Sequence, residues 1–374
     1  MDALMLPLNW QRVRLGDIGK PCMCKRVMKH QTTRYGEIPF YKIGTFGKTA
    51  DAFISKKLFL EYKTKYSFPK KGDILISASG TIGKAVIYDG KPAYFQDSNI
   101  VWIDNDETLV KNDFLFYAYS NVKWNTEHTT ILRLYNDNFR NTLIPLPPLN
   151  EQSAIANILS DLDRYLCALD SLILKKDGVK KSLSFELLSQ RKRLKGFNQA
   201  WQRVRLGDIC EITTGSLDAN EMVHYGKYRF YTCAKEYYFI DKYAFDTEAI
   251  LISGNAYVGY VHYYKGKFNA YQRTYVLDNF SEHIIFVKYF LTMFLQSHIQ
   301  ANRNEGNIPY IVMATLKDFE ILLPPLNEQS AIANILSDLD NEITSLKNKK
   351  RQFENIKKAL NHDLMSAKIR VLEK

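Results

Sequence analysis

Two glycine–lysine segments are the parts of this sequence that most resemble a chemical site. GTFGKT runs from Gly44 to Thr49, and SGTIGK runs from Ser79 to Lys84. A loop that cradles nucleotide phosphates needs a further glycine five positions before the glycine of its Gly-Lys pair. Those positions hold Lys42 and Ala78. Neither segment therefore predicts a phosphate-binding loop.

Other catalytic signatures are missing from the sequence as well. A methyltransferase acting on amino groups would show an Asn/Asp-Pro-Pro-aromatic loop, whereas leucines flank both Pro147-Pro148 and Pro324-Pro325. The seven histidines contain no His-x-x-x-His pair, and Cys22-x-Cys24 has no second pair at zinc-binding spacing. We therefore expect a chain without catalytic residues and without a metal or cofactor of its own.

The composition points to a binding protein with an anionic partner. The 374 residues include 51 Lys and Arg against 40 Asp and Glu, a formal net charge of +11 that favours nucleic acid. A membrane is less favoured, because neither a basic amphipathic helix nor a run of eighteen apolar residues occurs. The N-terminus lacks a signal-peptide layout, and the five cysteines are scattered, so we expect a cytoplasmic protein with reduced thiols.

The residues that could contact a nucleic acid lie in turns between short β-branched runs. Residues 72–103 and 249–277 both show this strand–turn–strand pattern. Their turns hold hydroxyl, amide, phenol and cationic groups, which suit base edges and phosphates but also occur in any exposed turn. The candidate DNA contacts are Ser79, Thr81, Lys84, Gln96, Asn255, Tyr257, Gln272 and Arg273.

A tandem duplication organises the elements that must position these turns. LPPLNEQSAIANILSDLD occupies Leu146–Asp163 and returns letter for letter at Leu323–Asp340. WQRVRLGDI stands at Trp10–Ile18 and again at Trp201–Ile209. Repeats this far apart describe two domain-sized units rather than a solenoid. The chain therefore alternates a variable domain and a shared helix start, twice.

Each copy of the longer block is expected to begin a long helix. The Pro-Pro pairs end the preceding domain, and Asn150 and Asn327 are suitable N-cap residues. Apolar residues then recur at alternating spacings of three and four, the pattern of a coiled-coil seam, with lysines at its middle positions. We predict helices of about 46 residues, roughly 70 Å long, with Gly196 as the stop of the first.

These patterns predict the fold class and the domain boundaries. We expect an α+β protein in which two mixed α/β domains are separated by two long helices. The helices should form an antiparallel intramolecular coiled coil about a pseudo-twofold axis. The predicted divisions are residues 1–148 for the first variable domain, 149–196 for the first long helix, 197–325 for the second variable domain and 326–374 for the second long helix.

The layout resembles the specificity subunit of type I restriction–modification systems over essentially the whole chain. The resemblance rests on W-x-x-x-x-L-G-D-I at the start of each variable domain, ILIS followed by a glycine turn, and LPPLNEQ-x-x-I at each helix start. It implies a non-catalytic chain whose variable domains are target-recognition domains, each reading one half of a split DNA sequence. It also implies that the helices fix the distance between the half-sites. One departure is Tyr260, which stands where the first domain has Lys84.

The resemblance also implies protein partners. Two methylating subunits, which carry the adenine-N6 chemistry and bind S-adenosylmethionine, dock on a specificity subunit, and motor-nuclease restriction subunits join them. Because the repeated blocks are identical, we predict that they serve identical partners. The candidate partner-binding residues are Glu151, Gln152, Ile155, Glu328, Gln329 and Ile332.

Two other interpretations stay open on sequence alone. A free-standing DNA-binding regulator would also be basic and pseudo-symmetric, and it should bind its site tightly without a partner. A coiled-coil scaffold with two non-DNA ligand domains would bind no duplex. DNA binding with and without partner subunits therefore separates the three interpretations.

Overall fold

A computed structural model of the chain describes residues 7–125, 127–128, 132–301 and 310–371. The chain divides into two compact units, with the divisions between Leu169 and Asp170 and between Asn348 and Lys349. Unit 2 is the segment between these two points, and unit 1 is formed by the chain on either side of it. Within the described residues, no helix combines the length and the apolar character needed to cross a bilayer.

The elements follow each other in closely similar order in the two units. The strands of unit 1 are β1 (Gln11–Arg14), β2 (Gly19–Met23), β3 (Ile38–Tyr41), β4 (Phe53–Ile54), β5 (Ile74–Ser77), β6 (Ala85–Ile87), β7 (Tyr94–Phe95), β8 (Ile100–Asn105), β9 (Glu127–His128), β10 (Leu132–Arg133) and β11 (Leu143–Leu146). The strands of unit 2 are β12 (Gln202–Arg205), β13 (Glu211–Thr214), β14 (Tyr228–Tyr231), β15 (Tyr238–Ile240), β16 (Phe245–Ser253), β17 (Val261–Ala270), β18 (Thr274–Asp278) and β19 (Glu320–Leu323). The α-helices are α1 (Leu15–Ile18), α2 (Lys56–Lys65), α3 (Asn112–Ala118), α4 (Asn136–Asn141), α5 (Leu149–Leu188), α6 (Leu206–Ile209), α7 (Ile284–Ala301), α8 (Met313–Lys317) and α9 (Leu326–Met365).

Each variable domain is built on a sheet with the same central strand order. The order in unit 1 is β2-β8-β5-β6 beside a separate β4-β3-β7 sheet, and in unit 2 it is β13-β18-β16-β17-β14-β15. Strand β17 pairs with β16 and then, in parallel, with β14. Pro92 interrupts the corresponding segment of unit 1, because a proline cannot donate to a strand ladder, and the shorter β6 and β7 take its place.

The cores follow from the alternation of side chains along the central strands. Ile74 and Ile76 point to one face of β5 and join the core that also contains the start of α5, whereas Leu75 points to the opposite core. Ile250 and Ile252 do the same in unit 2, where they pack in the core that contains the start of α9. The shared ILIS sequence thus holds each sheet against the start of a long helix.

The two long helices pair in antiparallel orientation within each unit. In unit 1 the Tyr165 ring of α5 lies 4.8 Å from the Phe353 ring of α9, and Asp163 pairs with Lys357 further along α9. In unit 2 the corresponding ion pairs are Lys176–Glu342 at 2.8 Å and Lys180–Asp340. Residue numbers rise along one helix as they fall along the other, so the predicted antiparallel pairing is confirmed.

Three lysines at the middle positions of the coiled-coil seam form ion pairs with carboxylates of the facing helix. Besides Lys176, Lys180 pairs with Asp340 in unit 2, and Lys357 pairs with Asp163 in unit 1. Asp163 and Asp340 are the last residues of the repeated block, and they also accept hydrogen bonds from Tyr117 (2.8 Å) and Tyr289 (2.6 Å). Because these lysine side chains keep a quarter or more of their surface exposed, each pair contributes about 1 kcal/mol or less.

The helices are shorter than the sequence pattern predicts. Both span 40 residues and end at Leu188 and Met365, instead of about 46 residues each. Their stops are Gln190 (φ 61°) and Ala367 (φ 57°), which take the left-handed conformation. Gly196 also has a positive φ but lies in a turn beyond the helix, so its prediction as the stop was wrong.

Replacing Gln190 by glycine should stabilise the protein by about 1 kcal/mol, since a left-handed backbone costs a residue with a Cβ roughly that amount. The same change at Ala367 should act in the same direction in unit 1. Urea unfolding followed by circular dichroism measures both effects. A lower unfolding free energy for Gln190→Gly would contradict this account of the helix stop.

Candidate nucleic-acid interface

Unit 1 brings three loops together at one edge of its sheets. They are residues 42–48 after β3, residues 78–84 between β5 and β6, and residues 96–99 between β7 and β8. The hydrogen bonds between them run from Ile43 N to Gln96 Oε1 (3.0 Å), from Lys84 Nζ to Phe46 O (2.6 Å) and from Ala78 N to Asn99 O (2.8 Å). We call these three loops the unit 1 face.

Unit 2 brings the corresponding loops together. They are residues 232–237, 254–260 and 271–273, and we call them the unit 2 face. Their hydrogen bonds run from Gly254 N to Arg273 O (2.9 Å), from Cys233 Sγ to Arg273 O (3.2 Å) and from Tyr257 N to Cys233 O (3.4 Å). Burial lowers the pKa of the neighbouring His262, so this histidine adds no charge to the face at physiological pH.

The two faces share a backbone but not their side chains. Gly83 (φ 81°) and Gly259 (φ 76°) take the same left-handed conformation. Gly83 N donates to Ser77 O at 2.9 Å, and Gly259 N donates to Ser253 O at 2.8 Å. Glycine is required where the turn reverses, and the surrounding positions are free to differ.

In unit 1, three of the four predicted DNA contacts hold the face together. Ser79 is buried and donates its hydroxyl to Asn99 Oδ1 at 2.8 Å. Lys84 and Gln96 are half-buried and make the inter-loop hydrogen bonds given above. Thr81 alone of the four is exposed. All four stay predictions as DNA contacts, with Thr81 the best placed to reach a ligand.

In unit 2 the predicted contacts are more accessible. Tyr257, Gln272 and Arg273 are exposed, and Asn255 is half-buried. Gln272 N donates to Leu217 O at 2.9 Å, and Arg273 uses its carbonyl oxygen in the bonds between loops. Both residues thus contribute main-chain atoms to the scaffold and direct their side chains outward. These four also stay predictions.

A basic cleft in unit 1 was not predicted from the sequence. It measures about 620 Å³ and is lined by Gln96 together with Arg26, Lys29, Lys42 and Arg133. Arg26 pairs with Asp97 at 2.8 Å, and Arg133 Nη2 donates to Ser98 O at 3.0 Å. Cations around a polar cleft suit DNA phosphates. These residues come from distant parts of the sequence, so only the net charge hinted at them.

The glutamates of the repeated block lie inside their units. Glu151 is 6% exposed and accepts hydrogen bonds from Trp10 Nε1 (3.0 Å) and from Arg370 Nε (2.8 Å). Glu328 is fully buried and accepts from Trp201 Nε1 (3.1 Å) and from Arg193 Nη2 (2.6 Å). We call these two sets the Trp–Glu–Arg clusters. Each joins the WQRVRLGDI block, the start of one long helix and the chain just beyond the end of the other.

The glutamines beside them join the helix start to the variable domain. Gln152 is buried; its Nε2 donates to Pro147 O (2.9 Å) and Leu109 O (3.0 Å), and its Oε1 accepts from Lys111 N (2.8 Å). Gln329 repeats the arrangement: it donates to Pro324 O at 2.8 Å and to Glu282 Oε2 at 2.6 Å, and accepts from His283 N at 3.0 Å. The identical sequence therefore performs an identical structural task in both units.

The six predicted partner-binding residues are buried in their own units. Glu151, Gln152, Ile155, Glu328, Gln329 and Ile332 are all 6% exposed or less. The first residues of the helices are Leu149 and Leu326, so Asn150 and Asn327 lie within the first turn and are not N-caps. A role of the six in partner binding stays a prediction. Because they are buried, they would affect a partner through the packing at the start of each long helix rather than by contacting it.

Two of the five cysteines, Cys24 and Cys233, are buried, whereas Cys167 is exposed. Cys24 is buried, and burial raises the pKa of its thiol to about 12, so it stays protonated at physiological pH. The part of the chain that the structure describes contains no group of three or more His, Cys, Asp and Glu side chains able to hold a metal ion.

The family model described as type I restriction modification DNA specificity domain matches this chain twice. The two matches cover residues 7–176 and residues 198–355. The chain belongs to this family. Each match includes one variable domain and the first part of one long helix, so the specificity domain corresponds to the duplicated sequence unit.

Relatives of this specificity-domain protein occur in distant microorganisms. It is 62% identical over 152 residues to a putative type I restriction enzyme specificity subunit of Haemophilus influenzae, covering 40% of each chain. It is 38% identical over 161 residues to the EcoDI specificity subunit of Escherichia coli, covering 42% of this chain and 35% of that one. The matched regions thus span well under half of these two relatives. The MjaVIII specificity subunit of Methanocaldococcus jannaschii is 26% identical over 99% of this chain and 95% of its own length.

The fold of the specificity-domain protein is similar to that of a solved structure. The S subunit of a type I restriction-modification system from M. genitalium matches with a TM-score of 0.66 over 97% of this chain and 98% of that chain, at 20% identity. This similarity supports the α+β architecture with two duplicated domains. The predicted fold class is therefore confirmed.

Proposed function

We propose that this chain is a DNA-target specificity subunit of a type I restriction–modification complex, acting on double-stranded DNA in the cytoplasm. The unit 1 face and the unit 2 face would each read one half of a split target. The observation that carries the proposal is that the specificity-domain match occurs once on each copy of the duplication. The net charge of +11 and the outward side chains of Gln272 and Arg273 support it.

The protein partners in this proposal are two copies of a methylating subunit and the restriction subunits. S-adenosylmethionine would bind to the methylating subunits and not to this chain. The exposed residues of the repeated blocks provide matching surfaces for identical partners. In both copies they include Leu149 and Leu326, Asn157 and Asn334, and Asp161 and Asp338. These residues recur along one side of each helix start. They are the exposed part of the candidate partner surface, and the six buried residues lie beneath them.

Coexpression with the methylating subunit tests the proposed function. Genome-wide mapping of methylated adenines should reveal one split sequence, with a fixed gap between two different half-sites. The isolated chain mixed with DNA and S-adenosylmethionine should transfer no methyl group, because the sequence lacks the loops for that chemistry. Methylation without a shared sequence, or methyl transfer by the isolated chain, would contradict the proposal.

A further inference from the structure

An open cleft in unit 2 shares one turn with the unit 2 face, and the function proposed above assigns it no ligand. It lies between the turn at residues 256–261 and the helix α7, and its volume is about 570 Å³. Gly259 at its base has Gln296 and Ile299 of α7 directly above it, so no larger residue fits there without displacing them. The cleft is thus formed by the same turn that carries the predicted contact Tyr257.

The side chains around this cleft are aromatic or carry amides. Tyr257, Tyr260 and Tyr310 are 51%, 39% and 47% exposed. Gln296 and Gln300 are exposed and stand four residues apart, which places them on one side of α7. None of the described lining residues is charged. The lining therefore suits a flat ligand with hydrogen-bonding edges, and a cation stands beside it, since Lys235 Nζ lies 5.1 Å from the centroid of the Tyr257 ring.

The corresponding place in unit 1 is closed. The indole of Trp124 lies against Gly83 so closely that an added Cβ would overlap it. That indole packs between Tyr119 at 5.5 Å and Phe139 at 6.1 Å. Helix α3 ends at Ala118, whereas α7 continues to Ala301 and supplies the two glutamines. An aromatic ring of the chain itself thus occupies in unit 1 the place that is open in unit 2.

We propose that the unit 2 cleft binds an unstacked nucleobase of the DNA strand that lies on the unit 2 face. A base that remains paired lies recessed in a groove and cannot enter a concave cleft, whereas an extruded base can stack on tyrosine rings. The glutamine amides can then hydrogen-bond to the edge of the base, a pairing best suited to adenine. This inference rests on the proposed function, because the strand must first lie on the unit 2 face.

A fluorescent base analogue provides the test. The full-length chain is titrated into a short single-stranded oligonucleotide that contains one 2-aminopurine, whose emission falls when it stacks on an aromatic ring. We expect saturable quenching by the wild-type chain. Tyr257→Ala and Gln296→Ala should each raise the Kd by at least about tenfold, equivalent to about 1.4 kcal/mol. Both side chains are exposed, so the fold should tolerate either change.

The matched control is Tyr225→Ala, which removes a 96% exposed tyrosine that does not line the cleft and should leave the Kd unchanged. An unlabelled strand should displace the probe, whereas a strand of the same length that is abasic at every position should not. Absence of quenching, or quenching that survives both cleft substitutions, would overturn the inference. So would equally tight binding of free 2-aminopurine riboside, which would make the cleft a nucleoside site. Methylation mapping with the wild-type chain reports on the proposed function independently of these outcomes.

Discussion

Replacing Glu328 by glutamine should lower the free energy of unfolding by about 3 kcal/mol or more. The carboxylate is fully buried and bonds both Arg193 and Trp201. The Arg193 side chain is only 24% exposed, so the substitution leaves a largely buried guanidinium without its counter-ion. Removing one partner of a buried ion pair typically costs about 3–5 kcal/mol, because the remaining charge is poorly solvated.

The same unit contains a matched control. Glu320 pairs with Arg203 at 2.6 Å, but these side chains are 52% and 65% exposed. Glu320→Gln should therefore cost less than about 1 kcal/mol. Urea unfolding followed by tryptophan fluorescence compares the two variants. If the two substitutions lower the free energy of unfolding equally, burial does not make the Glu328–Arg193 pair more stabilising than an exposed ion pair.

Transplanting residues 210–322 in place of residues 19–145 should convert the target into a symmetric one. Both segments run from the end of the WQRVRLGDI block to the start of the LPPLNEQ block. Both half-site positions would then be occupied by the same variable domain. Given the pseudo-twofold axis predicted from the sequence, the methylated site should contain the second half-site twice, in inverted orientation.

The joint at the start of α5 is suited to accept the transplanted domain. Glu151 bonds Trp10 and Arg370, both of which lie outside the exchanged segment. Gln152 reaches the variable domain only through main-chain atoms, Lys111 N and Leu109 O. Any domain with the same backbone at this point can therefore make these bonds.

Mapping methylated adenines in cells that express the methylating subunit measures the outcome of the exchange. The reverse exchange, with residues 19–145 in place of 210–322, is the control and should duplicate the first half-site instead. Persistence of the original two-part target in either variant would contradict the assignment of one half-site to each variable domain.

The duplication made much of the fold predictable from the sequence. Identical blocks predicted two long helices, which begin at Leu149 and Leu326. The heptad spacing predicted that the helices pair, and pairing within one chain about a pseudo-twofold axis predicted the antiparallel orientation. The ends of the helices were harder to predict, because Gln190 and Ala367 stop them in a conformation that sequence patterns associate with glycine. Both residues take a left-handed backbone conformation that they do not favour on their own. The chain just beyond each of them is held by Arg193 or Arg370 of a Trp–Glu–Arg cluster.

The site was less predictable because its residues are distinguished by their surroundings. Glu151 and Glu328 were predicted to bind partner subunits, yet both are buried, because Arg370 and Arg193 reach them from distant parts of the sequence and compensate their charge. Ser79 and Lys84 have the chemistry of DNA contacts, yet their polar atoms are used by neighbouring loops. The residue types show which hydrogen bonds and ion pairs these side chains can form, but the tertiary fold decides which partners they meet.

The discontinuous construction of unit 1 has a consequence for how the chain folds during translation. The first variable domain leaves the ribosome first, but its core includes Leu364 and Met365, and Glu151 needs Arg370. Unit 2 is contiguous between Asp170 and Asn348, so all of its parts are available earlier. We therefore expect the second variable domain to reach its native state before the first. A nonsense mutation just after residue 348 would leave all of unit 2 in the chain but would remove Arg370, the counter-ion of Glu151 in unit 1. We expect cellular proteases to degrade such a truncated chain, starting from its incomplete unit 1.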